Sequence, residues 1–114
     1  MTTTITRQDL QVRLTAVPPP QLVEALGSAF FADAHLPGAI NIPPDQVDRL
    51  ALRLLPDLDA EIVVYCSATS RNSEATATRL EELGYRNVAV YRGGKEDWVE
   101  HALPVERSTD GLQR

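Results

Sequence analysis

The amino-acid sequence predicts an α/β fold: a doubly wound, mainly parallel sheet with helices on both of its faces. Two four-residue runs, Ile62–Tyr65 and Val88–Tyr91, are rich in β-branched and aromatic residues and contain no glycine or proline, which is typical of buried strands. A helical stretch over residues 72–83 lies between them and ends at Gly84, a residue suited to a left-handed helix end. Strands that alternate with helices favour a parallel sheet covered on both sides.

The first part of the chain predicts a short helix and a rigid connector. Thr6 is a suitable N-cap for a helix over about residues 7–14. Three consecutive prolines at 18–20 cannot continue a helix, so they predict a connector to the next element.

The segment that follows predicts two short strands around a turn. Residues 21–25 contain the first strand, and the apolar stretch after it offers Phe30 and Phe31 as core anchors. The sequence HLPG at 35–38 is a strong turn signal, and residues 39–42 form the next strand before a pair of prolines.

Three amphipathic helices are predicted in the rest of the chain. Asp45 is expected to cap a helix that Pro56 ends. The helix over residues 72–83 follows, and a third, over residues 96–101, follows a glycine pair and is anchored by Trp98. The residues expected to face the core from the first two are Val47, Leu50, Leu54 and Leu55, then Ala75, Leu80 and Leu83.

Bulk composition indicates one ordinary globular domain. With 114 residues, 43% hydrophobic and 24% charged, the chain is near the modal domain size, and we expect a domain over residues 1–107 with a loose tail over 108–114. A net charge of −5 argues against nucleic acid as a partner, and no apolar run is long enough to span a membrane. A single cysteine and no basic leader favour the cytoplasm. The composition is compatible with a monomer.

That single cysteine, Cys66, is the strongest functional signal in the sequence. It follows a predicted strand directly and precedes a predicted helix, so backbone N–H groups and the positive end of the helix dipole are expected to stabilise a thiolate there. Arg71 adds a fixed positive charge five residues later. The loop between them is small and mostly polar, so its amides can surround an anion; its residues are Ser67, Ala68, Thr69 and Ser70. The alternative is a buried cysteine that acts only as a small hydrophobe.

Three stretches of the chain match segments of a known family in order and spacing. Residues 34–43 read AHLPGAINIP, residues 62–66 read IVVYC with Arg71 after them, and residues 91–98 read YRGGKEDW with LPV at 103–105. Together they resemble the single-domain rhodaneses, a family of sulfurtransferases, over about residues 5–106.

The resemblance implies both a fold and a chemistry. The fold is the doubly wound α/β domain already predicted. The chemistry is transfer of a sulfane sulfur from a small anionic donor such as thiosulfate, through a Cys66 persulfide, to cyanide or an external thiol. Cys66 is then the catalytic nucleophile, while Arg71 and the amides of residues 67–70 stabilise the anion. No metal or organic cofactor is expected.

Some positions depart from the family pattern and keep alternatives open. The family usually has Asp-Val-Arg before the turn, whereas this chain has Glu24-Ala25-Leu26, so the acid is retained and the arginine is lost. The loop carries no basic residue before Arg71, and Asn72 replaces the usual Ser or Thr. One alternative is therefore a rhodanese-like binding or regulatory module with little activity. Another, less favoured, is a cysteine-loop phosphatase or arsenate reductase, which usually has one more loop residue. Arg92, before the glycine pair, is a less favoured candidate for the mouth of the site.

Overall fold

A computed structural model describes residues 2–107 and shows strands and helices in near-strict alternation. A single turn of 3₁₀ helix, Pro44–Gln46, precedes α3. The strands and α-helices in chain order are β1 (Thr3–Ile5), α1 (Arg7–Arg13), β2 (Gln21–Glu24), α2 (Ser28–Asp33), β3 (Ile40–Asn41), α3 (Val47–Leu54), β4 (Ile62–Tyr65), α4 (Asn72–Glu82), β5 (Val88–Tyr91) and α5 (Gly94–Glu100).

The strands form one sheet in the order β1-β5-β4-β2-β3, and every neighbouring pair is parallel. The central strand β4 pairs with β2 and β5, so Val64 lies opposite both Val23 and Val90. Because all strands run the same way, their carboxyl ends meet at one edge, where ligands bind in sheets of this type. Cys66 lies at that edge, directly after the central strand.

Side-chain alternation along the strands divides the core into two halves. Val64 packs with residues of α3 and α4 on one face of the sheet, whereas Tyr65 packs with Leu10 of α1 and Trp98 of α5 on the other. Each fully buried aliphatic or aromatic side chain contributes about 1.5–3 kcal/mol. The predicted α/β class with helices on both faces is confirmed.

Two predictions for the amino-terminal part are corrected. The sequence analysis did not predict β1, which is an edge strand of three residues with only Ile5 buried. Phe30 is not a core anchor: it is 64% exposed, since α2 is a short surface helix with no fully buried residue. Phe31 is partly buried, and its ring stacks on His35 with 3.9 Å between ring centroids.

The details of α3 and α4 also differ from expectation. Asp45 does not cap α3, because a 3₁₀ turn intervenes and the helix begins at Val47. Leu54 is 40% exposed, whereas Leu55 just beyond the helix is buried. In α4, Ala75 faces solvent. The buried stripe of α4 instead consists of Ser73, Thr76, Ala77 and Leu80, the spacing of a single helix face.

The predicted loose tail, residues 108–114, lies outside the described residues. Within residues 2–107, no helix is long and apolar enough to cross a membrane.

Candidate active site

The loop after Cys66 is held in place by the turn that follows β5. The backbone N–H of Lys95 donates to the carbonyl oxygen of Cys66 at 2.8 Å. Gly94 has a φ of +72°, and a Cβ placed on it would lie 2.6 Å from that same oxygen. Only glycine permits both the backbone angle and this close approach. Gly94 therefore fixes the position of the cysteine loop against the turn after β5.

The thiol of Cys66 is buried at the start of α4, with 2% of the residue exposed. The backbone N–H of Ser73 donates to Sγ at 3.4 Å, and the Ser73 hydroxyl lies 3.2 Å from Sγ. The carbonyl oxygens of Ser70 and Ser67 lie at 3.3 and 3.4 Å and can accept the thiol proton. The two carbonyl oxygens can accept the proton of a neutral thiol. The N–H and hydroxyl of Ser73 can donate hydrogen bonds to a thiolate.

The amides of the loop are partly used by the protein itself. The N–H of Ala68 donates to the carboxylate of Glu96 in α5 at 2.8 Å, and the N–H of Ser70 donates to Ser67 at 3.3 Å. Ala68 and Thr69 are exposed, while Ser67 lines a cleft of about 700 Å³ with Leu26 and Glu96 among its walls. Glu96 is exposed and also contacts the loop.

Arg71 lies at the end of this loop, but its guanidinium group is turned toward α4. The side chain is 78% exposed and pairs with Glu74 at 3.1 Å. The structure describes no hydrogen bond between Arg71 and Cys66. The second carboxylate oxygen of Glu74 lies 2.7 Å from Arg92, so one acid holds two arginines at the sheet edge. The assignment of Arg71 to the catalytic site stays a prediction.

A buried charge pair lies close to the cysteine loop. Glu24 is fully buried at the end of β2, and Lys95 reaches it with 3.0 Å between Nζ and Oε2. The hydroxyl of Tyr65 donates to the other oxygen of Glu24 at 2.9 Å. Burial raises the pKa of Glu24, and the hydrogen bonds from Lys95 and Tyr65 oppose that rise. Glu24 is therefore ion-paired although position 26 carries a leucine.

Two of the residues that shape the site have no role in the sequence analysis. Ser73 occupies the second position of α4, where the backbone N–H has no partner within the helix, so its contact with Cys66 follows once the helix start is known. Lys95 is the only lysine in the sequence, and Glu24 is an acid without its usual arginine. Those two facts together were a signal that the residues pair.

Comparison with known proteins identifies the family. The rhodanese-like domain family matches residues 6–101. The chain belongs to this family. The resemblance found in the sequence is therefore confirmed, and two of its motifs coincide with the cysteine loop and the glycine turn.

Two relatives of this rhodanese carry names that state an activity. It is 31% identical over 91 residues to the thiosulfate:glutathione sulfurtransferase of Saccharomyces cerevisiae, covering 70% of this chain and 65% of the relative. It is 34% identical over 87 residues to the thiosulfate sulfurtransferase GlpE of Haemophilus influenzae, covering 75% of this chain and 78% of the relative. The chain thus spans about two thirds to three quarters of their length.

A solved structure agrees with both the fold and the sequence. A rhodanese with anions from E. coli superposes with a TM-score of 0.65 at 30% identity, covering 77% of this chain and 98% of the other. The predicted rhodanese-like fold is confirmed. The predicted sulfurtransferase activity is also the one for which the yeast and H. influenzae relatives are named.

Proposed function

We propose that the protein is a sulfurtransferase that moves a sulfane sulfur from thiosulfate or a similar donor to cyanide or a thiol, through a persulfide on Cys66. The observation that carries this is the position of the chain's one cysteine. It lies at the carboxyl edge of the central strand, against the first turn of α4, in a chain of the rhodanese family. The names of the yeast and H. influenzae relatives support thiosulfate as the donor.

The first step loads the sulfur onto the protein. The Cys66 thiolate attacks the outer sulfur of thiosulfate, a new S–S bond forms, and the old S–S bond breaks with its electron pair leaving on sulfite. The N–H and hydroxyl of Ser73 stabilise the thiolate before attack. Arg71 and the loop amides stabilise the anionic donor and the departing sulfite. For this, Arg71 has to exchange Glu74 for the donor, which is feasible because exposed ion pairs contribute at most about 1 kcal/mol.

The second step returns the cysteine to its starting state. An external nucleophile, cyanide or a thiolate, attacks the terminal sulfur of the persulfide, and Cys66 leaves as thiolate. Cyanide gives thiocyanate, and a thiol gives a hydropersulfide. Cys66 is the only cysteine of the sequence, so the acceptor has to come from outside it. The name of the yeast relative, which includes glutathione, supports a small thiol as the acceptor.

Other properties stay predictions within this proposal. A cytoplasmic location is compatible with a catalytic thiol kept reduced. A monomeric state is compatible with a site built from this one chain.

The test is a thiocyanate-release assay with thiosulfate and cyanide. The wild-type protein should turn over, and Cys66→Ser should be inactive while its circular dichroism spectrum is unchanged. Arg71→Ala should cost more free energy in donor binding, measured through the KM for thiosulfate, than in the free energy of unfolding. Arg86→Ala is the matched control, since Arg86 is also exposed and ion-paired, with Asp59 at 3.1 Å, but lies before β5 at the opposite edge of the sheet. Turnover by Cys66→Ser, or equal effects of the two arginine variants, would contradict the proposed roles.

A further inference from the structure

Arg92 lies beside Cys66 on the same face of the sheet. Tyr91 pairs with Tyr65 at the end of the β4–β5 ladder, so Arg92 and Cys66 each occupy the next position along their strands. Side chains alternate along strands, and the two tyrosines face the α1 and α5 side. The next residue on each strand therefore faces α4. The contact of Arg92 with Glu74 of α4 agrees with this placement.

Glu74 holds two guanidinium groups next to the cysteine loop. One carboxylate oxygen is 3.1 Å from Arg71, and the other is 2.7 Å from Arg92. Two positive charges thus share one negative charge. The arginine side chains are 78% and 55% exposed, so both remain accessible to a small anion from solvent. By contrast, the charge of Lys95 is already engaged with the buried Glu24.

We propose that Arg92 is a donor-binding residue, which together with Arg71 binds the oxyanion end of a small dianionic sulfur donor, and that Glu74 holds both arginines until the donor displaces it. This inference rests on the proposed function and names a further determinant of its donor specificity. Arg92 supplies the positive charge that the loop lacks between Cys66 and Arg71.

The energetics favour such an exchange. Each arginine–glutamate contact is exposed and therefore weak, so releasing it costs little. A dianion offers two charges and several oxygens where Glu74 offers one charge and two oxygens. The planar guanidinium fork of arginine matches such oxygens in pairs. When the donor replaces Glu74, the two arginines lose a carboxylate that they share and gain an anion with enough charge and oxygens for both.

If Arg92 contacts the donor, its replacement should affect donor binding rather than the chemical step. Steady-state kinetics at low ionic strength would compare Arg92→Gln with Arg86→Gln, the matched exposed and ion-paired arginine at the far edge. Arg92→Gln should raise the KM for thiosulfate about five-fold, with kcat and the KM for cyanide unchanged. Arg92→Lys should restore part of this loss. Glu74→Gln should lower the KM for thiosulfate, because both arginines are released. A purely structural role for Arg92 would instead lower kcat or stability in both Arg92→Gln and Glu74→Gln.

A binding measurement separates this inference from the proposed function. Calorimetric titration of thiosulfate into Cys66→Ser should give binding that Arg92→Gln weakens about five-fold and Arg86→Gln leaves unchanged. If the wild type shows no turnover but this pattern of binding holds, the proposed function fails and the donor site stands. The assignment of Arg92 is overturned, while the function stands, if the wild type turns over and Arg92→Gln and Arg86→Gln have the same KM for thiosulfate and the same affinity for it. Absence of both turnover and binding overturns both.

Discussion

Replacement of Gly94 by alanine tests how the glycine turn positions the cysteine loop. The new Cβ would lie 2.6 Å from the carbonyl oxygen of Cys66, 2.9 Å from the carbonyl carbon of Ser67 and 3.1 Å from the amide nitrogen of Ala68. All three are backbone atoms, so no side chain can rotate away. The turn and the loop have to separate.

The expected loss of stability follows from two contributions. A left-handed conformation costs a non-glycine residue about 1–2 kcal/mol. Separation of the turn from the loop also removes the hydrogen bond from Lys95 to Cys66, which contributes about 1 kcal/mol. With residual strain we expect Gly94→Ala to lower the free energy of unfolding by about 3 kcal/mol.

Gly38 is the matched control. Its φ is +80°, but a Cβ placed there meets nothing within 4 Å, so Gly38→Ala should cost only the conformational 1–2 kcal/mol, about as for any left-handed residue. Urea unfolding gives both free energies, and the rate of Cys66 alkylation reports whether the loop has moved. Gly94→Ala should expose the thiol and speed alkylation, whereas Gly38→Ala should not. Equal unfolding free energies and equal alkylation rates for the two variants would show that Gly94 does not position the cysteine loop.

Three further predictions concern the surroundings of the site. Lys95→Met leaves the buried Glu24 carboxylate unpaired and should cost about 3 kcal/mol at neutral pH, most of it recovered in Glu24→Gln/Lys95→Met. Because the pKa of Glu24 is raised, this loss should shrink as the pH falls toward the ordinary value of 4.5; a loss independent of pH in urea titrations would contradict the pairing. Asp97 accepts a hydrogen bond from a tyrosine hydroxyl of β5 at 2.6 Å, which lowers its pKa below 3.8, so Asp97→Ala should cost about 2 kcal/mol at neutral pH and less below pH 3.8. If Asp97→Ala cost as much stability at low pH as at neutral pH, the acceptor of the tyrosine hydrogen bond would not be an ionised Asp97. Ser73→Ala removes the hydroxyl beside Sγ and should slow alkylation of Cys66 about ten-fold, while an unchanged rate would show that the Ser73 hydroxyl does not stabilise the thiolate.

Local sequence signals were sufficient to predict the central part of this fold. The strand Ile62–Tyr65 is buried on both faces, so its continuous apolar pattern identified it, and the helix after the loop was bounded by Gly84. The position of Cys66 between them follows directly. The family motifs around the loop then predicted the chemistry.

Contacts between distant residues could not be predicted in the same way. Glu24 and Lys95 are 71 positions apart, and their pairing depends on how β2 and the turn after β5 meet. Arg71 was expected to stabilise the anion at Cys66, but its guanidinium group pairs with Glu74 in the first turn of α4. Phe30 was predicted to be buried from hydrophobicity alone, which does not reveal that α2 packs Phe31 rather than Phe30 against the core.

The most direct test of the account is intact-protein mass spectrometry after mixing with thiosulfate, and separately with 3-mercaptopyruvate. Sulfur transfer through Cys66 predicts a gain of one sulfur atom that cyanide reverses and that is absent in Cys66→Ser. No gain with either donor, in protein whose Cys66 is still alkylated readily, would contradict a persulfide carrier.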